Sequence, residues 1–201
     1  MGKTANELSI GYSTSNGTAS GQFVYGLYQG GLGRLPGYAE FVLDRSKVIG
    51  GPELEANRAA LADDFVKRAE FRQLYPASQS NAQFVNALFD TAGLIGFTVA
   101  RQQEIDAMDA GKTRAQVLSS VISIPDFQNQ EFNSVFVLMQ YFGFLQRDPD
   151  AGGYAFWLDV LANREPGNFR GLVCAFVTST EYQERFSSIA SRTNAECRGV
   201  R

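Results

Sequence analysis

Apolar residues recur along almost the whole chain at steps of three and four, the spacing that gathers them on one side of an α-helix. Phe23, Leu27 and Tyr28 share one face, and Tyr38, Phe41, Val42, Val48 and Ile49 share another, which Gly50-Gly51-Pro52 brings to a stop. Leu54, Leu61 and Phe65 make a further stripe, with Arg58 between them so that its stem lies along the face and its head reaches outward. Start signals then arrive regularly. Ser80 with Gln83, Thr113 with Gln116, and Thr178 with Glu181 have the capping-box spacing, in which the third helical residue reaches back to the cap. Gly111 is placed to end the helix holding Ile105 and Met108. Pro125 suits the first turn of a helix carrying Phe132, Val135, Phe136 and Met139. Asp150 can cap Tyr154, Trp157, Leu158 and Leu161, and Asn168 can cap Phe169, Leu172, Val173 and Phe176. No stretch alternates with period two for long enough to read as a strand. The pattern predicts an all-α chain of about ten helices.

The same segments contain an internal repeat. Tyr28, Leu32, Arg34 and Pro36 have the spacing Y-x3-L-x-R-x-P, and Tyr141, Leu145, Arg147 and Pro149 repeat it 113 residues later. Phe65-Val66 precedes Glu70-Phe71 as Phe176-Val177 precedes Glu181-Tyr182, and an aromatic follows four residues on in both, Tyr75 and Phe186. A weaker copy, Val121-Ile122 then Asp126-Phe127, lacks the R-x-P element. The expected organisation is a flexible segment 1–20, a helical domain 21–190 made of units 23–75, 84–127 and 132–186 in one continuous body, and a tail 191–201. Two similar helical units thus flank a degenerate middle one.

The last unit reads YFGFLQRDPDAGGYAFW over 141–157 and AFVTSTEYQERF over 175–186. It resembles the bacterial domain-of-unknown-function 4214 family, itself similar to phycobilisome linker domains. Leu145, Arg147, Pro149, Asp150, Gly153, Trp157, Phe176, Ser179, Glu181 and Tyr182 carry the likeness. The first unit departs from it, with Gly37 in place of the Asp and Asp44 where the Trp would fall, although Phe41 matches Tyr154. The specific part is 132–186; the rest of 23–186 follows by repetition. The resemblance implies an all-helical module, often appended to secreted or surface bacterial proteins, and brings no catalytic residues.

Composition then narrows the chemistry. The chain has no His, so Ser-His-Asp and Cys-His nucleophile pairs and His-ligated zinc or iron sites are excluded. Two Cys are too few for a Cys-rich metal cluster. The net charge of −3, with Lys and Arg scattered, offers no footprint for nucleic acid. No apolar run is long enough to span a membrane, and MGKTANELSIGYSTSNGTAS at the start has no hydrophobic signal core. Met1 therefore begins either a cytoplasmic protein or a piece of a longer, secreted one.

Four constellations invite a functional reading. Asp148-Pro149-Asp150-Ala151-Gly152 echoes the opening of a calcium loop, but the twelfth position is the short Asp159; capping by Asp150 is the better account. Arg34 and Arg147 suit a bidentate anion, yet their identical place in both units favours an internal ion pair, with Glu70 and Glu181 as the partners. Trp157 with Tyr154 and Phe156 could stack on a sugar. Tyr154, Trp157 and Leu158 share a stripe that favours the core, while Phe156 lies off it and is the better exposed contact. Gly30-Gly31-Leu32-Gly33 follows no strand and is no phosphate loop.

These readings predict a non-enzymatic helical structural or interaction module, with a protein partner, no cofactor and an extracellular or cell-surface location. The alternative is a calcium- or glycan-binding module centred on 148–157. Cys174, in an ordered helix, and Cys197, in a polar tail, are expected to form a disulfide that pins the C-terminus.

Overall fold

The structure, a computed structural model, describes residues 16–48, 51–186 and 197, except for the side chains of 16–19. The segment 1–15, Ile49, Gly50 and all of 187–201 but Cys197 lie outside the described residues. So do most of the expected N-terminal segment and C-terminal tail. Eleven α-helices and no strand occur among the described residues: α1 Asn16–Leu32, α2 Tyr38–Lys47, α3 Leu54–Phe65, α4 Ala69–Leu74, α5 Asn81–Thr91, α6 Thr98–Asp109, α7 Arg114–Ile122, α8 Pro125–Gln140, α9 Ala151–Asp159, α10 Phe169–Val177 and α11 Thr180–Phe186. Helices α8 and α9 each run on into a π-helical turn, Tyr141–Leu145 and Val160–Arg164. The chain is all-α. It divides into two compact units, one of Ala19–Glu131 and one containing 132–186.

In the first unit, α1 buries Val24, Tyr25, Leu27 and Tyr28. Its glycines set how closely α7 can approach. A Cβ at Gly30 would lie 2.7 Å from Ile122 Cγ2, and one at Gly26 3.1 Å from Ile122 Cβ. The glycine run is therefore a helix-packing surface, which leaves it no phosphate to hold. Aromatic rings extend this core: Tyr28 meets Phe65 edge-on at 5.0 Å, Phe71 meets Tyr75 at 4.6 Å, and Tyr75 meets Phe84 at 5.3 Å. The stripe expected on α2 is only partly a core face. Phe41 and Val48 are buried, but Val42 and its neighbour Leu43 face solvent, because Asp44 takes the inward position next to Phe41.

In the second unit, Phe136, Val137, Leu138, Tyr141 and Phe142 of α8 and its π turn are buried, as are Leu172, Val173, Phe176 and Val177 of α10. Tyr141 meets Phe176 edge-on at 5.0 Å, repeating the Tyr28–Phe65 contact. Tyr182 meets Phe186 at 5.1 Å, as Phe71 meets Tyr75.

Local signals account for the helix ends. Ser80 accepts from the Gln83 N–H at 3.2 Å while Gln83 Oε1 accepts from the Ser80 N–H at 2.9 Å, and Thr113 and Gln116 do the same at the same distances. Gly111 takes φ +104° just past α6, a value that favours glycine. Asp150 accepts from Gly153 N–H at 2.7 Å and Asn168 from Gly171 N–H at 2.8 Å. The expected Thr178–Glu181 box does not form. Thr178 Oγ1 instead donates to the Cys174 carbonyl at 2.7 Å, and Ser179, one residue later, accepts from the Tyr182 N–H at 3.2 Å. Glu181 is thereby released for another partner.

Candidate functional site

The R-x-P element follows the end of α1 in the first unit and of the π turn in the second, and in both the chain turns there through a positive-φ residue, Gly33 or Gln146. The turn brings the arginine over the ring of the tyrosine six residues earlier: Arg34 lies 5.1 Å from the Tyr28 centroid, and Arg147 5.3 Å from that of Tyr141. The third helix on, α4 in the first unit and α11 in the second, supplies the acid. Arg34 donates from Nε to Glu70 Oε1 and from Nη2 to Oε2, both at 2.7 Å. Arg147 donates to the same two atoms of Glu181 at 2.6 and 2.8 Å. In each copy Nη1 also donates to the carbonyl of the next residue, Leu35 at 3.0 Å or Asp148 at 2.8 Å. This is the fork-to-fork arrangement that only guanidinium can make. Each unit thus holds a clasp of one arginine, one glutamate and one tyrosine, closing the loop on its own helices.

The copies differ in how they complete it. In the first, the cap position is Gly37, and Glu40 accepts from the Gly37 N–H at 2.8 Å while also taking Arg34 Nη1 at 2.9 Å. In the second, a glycine stands where Glu40 would fall, and the carboxylate moves to the cap. Asp150 holds the Gly153 N–H and lies 3.8 Å from Arg147 Nη1. A carboxylate beside the guanidinium is retained by exchanging the two positions. Neither loop is shaped for a cation, since a guanidinium sits against the acid that would bind it. No group of three or more His, Cys, Asp or Glu suited to a metal occurs among the described residues.

Bonds from Arg34 hold the Glu70 carboxyl below the usual carboxylate range, and bonds from Arg147 do the same for Glu181. Both are therefore anions at neutral pH, unsuited to give up a proton as general acids. The two guanidinium groups are half-buried.

Where the repeat would place a Trp, the first unit has a second polar centre that sequence reasoning left without a partner. Asp44 is buried with only 2% of its side chain exposed. Arg68 donates to both of its oxygens at 2.7 Å, Tyr28 donates to Oδ2 at 2.8 Å, and Lys47 to Oδ1 at 3.3 Å. Burial pushes the Asp44 carboxyl up, but the bonds from Arg68 and Tyr28 outweigh it and hold it below the usual range. Burial, reinforced by the bond to Asp44, pushes the Tyr28 hydroxyl up. The signal in sequence was Arg68 itself, standing where the second unit has the helix-capping Ser179.

In the second unit Trp157 takes the place of Asp44 and packs on Phe176 at 5.6 Å. The core stripe expected of Tyr154, Trp157 and Leu158 is not one: α9 buries no residue, and those three are half-buried. An apolar helix with few polar residues has no preferred inward face, so spacing could not orient it. Phe156 is exposed, as its position off the stripe implies. Cys174 and Cys197 are joined, with Cα atoms 5.4 Å apart. No helix among the described residues is long and apolar enough to cross a membrane.

The family model described as domain of unknown function DUF4214 matches residues 118–186, the stretch from within α7 to the end of α11. No curated protein and no solved structure matches the chain.

Proposed function

We infer that this chain, which carries a DUF4214 domain over residues 118–186, is a non-catalytic structural and interaction module of a secreted or surface-attached bacterial protein. The observation that carries the reading is the clasp. Arg34–Glu70 on Tyr28 and Arg147–Glu181 on Tyr141 have the same donor and acceptor atoms. A residue set repeated with the same internal partners does architectural work in both copies, and its charges are already spent on each other. The family contributes no chemistry against which to set this. The Cys174–Cys197 bridge supports a location outside the reducing cytoplasm, where such a bond persists.

The test is to fractionate cells that produce the protein naturally, alkylate without reduction and measure intact mass. The expected result is chain in the medium or envelope fraction with neither cysteine alkylated. Recovery from the cytosol with both cysteines alkylated would reject the secreted assignment. A clasp variant such as Glu181→Gln that abolished a chemical activity, while the melting point held, would reject the non-catalytic one.

A further inference from the structure

Helix α9 and the π turn after it carry a cluster that neither the clasp nor the core uses. Phe156 is 45% exposed and stands edge-on to Trp157 at 5.0 Å. Trp157 also packs on Phe176 at 5.6 Å, which ties the indole to the core. The π turn Val160–Arg164 then supplies Asn163 and Arg164, which close on Asp159, the last residue of α9. Asn163 Nδ2 donates to Asp159 Oδ1 at 2.8 Å, Arg164 Nε donates to Asp159 Oδ2 at 2.6 Å, and the Arg164 guanidinium lies 5.2 Å from the Phe156 centroid. An interrupted helix of this kind is a recurrent feature of functional sites.

The cluster retains unused valences. Among the described residues, Arg164 Nη1 and Nη2, Asn163 Oδ1 and the Trp157 indole N–H have no hydrogen-bond partner. Bonds from Asn163 and then Arg164 hold the Asp159 carboxyl below the usual range, so it is an acceptor at neutral pH. The set combines an aromatic surface with donors and acceptors fixed at its edge, and the one cation and one anion in it cancel. That is the complement of a pyranose ring, which presents an apolar C–H face bordered by hydroxyls that both donate and accept. An apolar peptide would leave the polar edge unmatched, and an anion would meet Asp159. We propose that Phe156, Trp157, Asp159, Asn163 and Arg164 form a site for a neutral glycan, with the sugar face on the aromatic pair and its hydroxyls on the polar edge.

The first unit has no counterpart. Leu43 stands at the position of Phe156, Asp44 at that of Trp157 and Ser46 at that of Asp159. Leu43 is nonetheless exposed, which makes it the natural control. The inference rests on neither the clasp nor the disulfide, so its failure would leave the proposed module intact, and the reverse holds too.

Trp157 is the only tryptophan in the chain, so intrinsic fluorescence reads the site directly. The unmodified chain is titrated at neutral pH with chitotetraose and cellotetraose, each to millimolar concentration. The expected result is a saturable change in emission with at least one of them, weakened by about tenfold or more in Phe156→Ala and in Asp159→Ala. Leu43→Ala should bind as the parent does. Phe156 and Leu43 are exposed and Asp159 is half-buried; far-UV circular dichroism checks that each variant keeps the fold. The proposal is overturned by no saturable change with either sugar, or by a change indifferent to both site variants. Emission that follows protein concentration and not sugar would also overturn it, by marking the face as a protein contact.

Discussion

Gln146 occupies the same step of the repeat as Gly33, and both residues turn the chain through the left-handed region, at φ 50° and 67°. Glycine takes that conformation without a Cβ clash, whereas another L-residue is strained there by about 1–2 kcal/mol. The two units therefore make one turn with unequal ease. Gln146→Gly should raise stability by about 0.5–1 kcal/mol, the relief of strain less the extra entropy of an unfolded glycine. Gly33→Gln should lower it by a similar amount, through the left-handed backbone alone, since a Cβ at Gly33 would meet Thr91 Cγ2 at an ordinary contact distance of 3.4 Å. Urea unfolding of the two variants tests the pair of signs; the same sign for both would contradict the shared geometry.

The clasp predicts a coupling measurable by a double-mutant cycle. Arg147 and Glu181 keep 33% and 37% of their side chains exposed, so solvent screens the pair, and a fully buried estimate does not apply. Their two-bond geometry still exceeds that of an ordinary surface pair. Arg147→Ala, Glu181→Ala and the double variant should give a coupling of about 1 kcal/mol. Arg147→Lys should recover less than half of it, because an ammonium cannot make both bonds. A Lys variant as stable as the parent would reduce the clasp to simple charge attraction.

What could be read from sequence depended on how local the cause was. The boxes at Ser80 and Thr113 are set within four residues and were legible, as was the all-helical class. The Arg34–Glu70 and Arg147–Glu181 pairs were legible only because the chain writes them twice. Arg68, in the turn before α4, pairs once with Asp44 on α2, a facing that no spacing reveals, so the buried centre was missed. At 178–179 two hydroxyls in a row could each cap α11, and competition from the Cys174 carbonyl decided between them. Helix α9 was misjudged because its apolar residues surround it.

That missed centre carries the pH dependence. The folded carboxyl of Asp44 is depressed, so its contribution is full above the unfolded carboxylate value of about 4 and is lost as pH falls from there through the folded value. Asp44→Asn should cost about 1–3 kcal/mol at neutral pH, since it takes the two-bond partner from the half-buried Arg68 guanidinium, which keeps Asp64 at 3.1 Å. It should also flatten the acid limb of the stability–pH curve relative to the parent. Thermal melts from pH 3 to pH 7 check both; an unchanged acid limb would place the acid sensitivity with Glu70 and Glu181, whose carboxyls are depressed in the same direction.

The disulfide predicts a redox-dependent stability, and the choice of variant matters. Cys174 is 5% exposed on α10, packed beside Val173 and Val177, so a serine there would bury a hydroxyl and confound the result. Cys197→Ser removes the bridge while leaving the sulfur at 174 in its packing. The bridge spans 23 residues of sequence, and closing a loop of that size restricts the unfolded chain by about 3 kcal/mol in the chain-entropy model. Unreduced parent protein should therefore exceed Cys197→Ser by about that amount. Dithiothreitol should bring the parent down to the level of the variant and leave the variant itself where it was. If the reductant moves neither, the bond contributes nothing to stability. If it moves the variant as well, the effect lies elsewhere than in the Cys174–Cys197 bond.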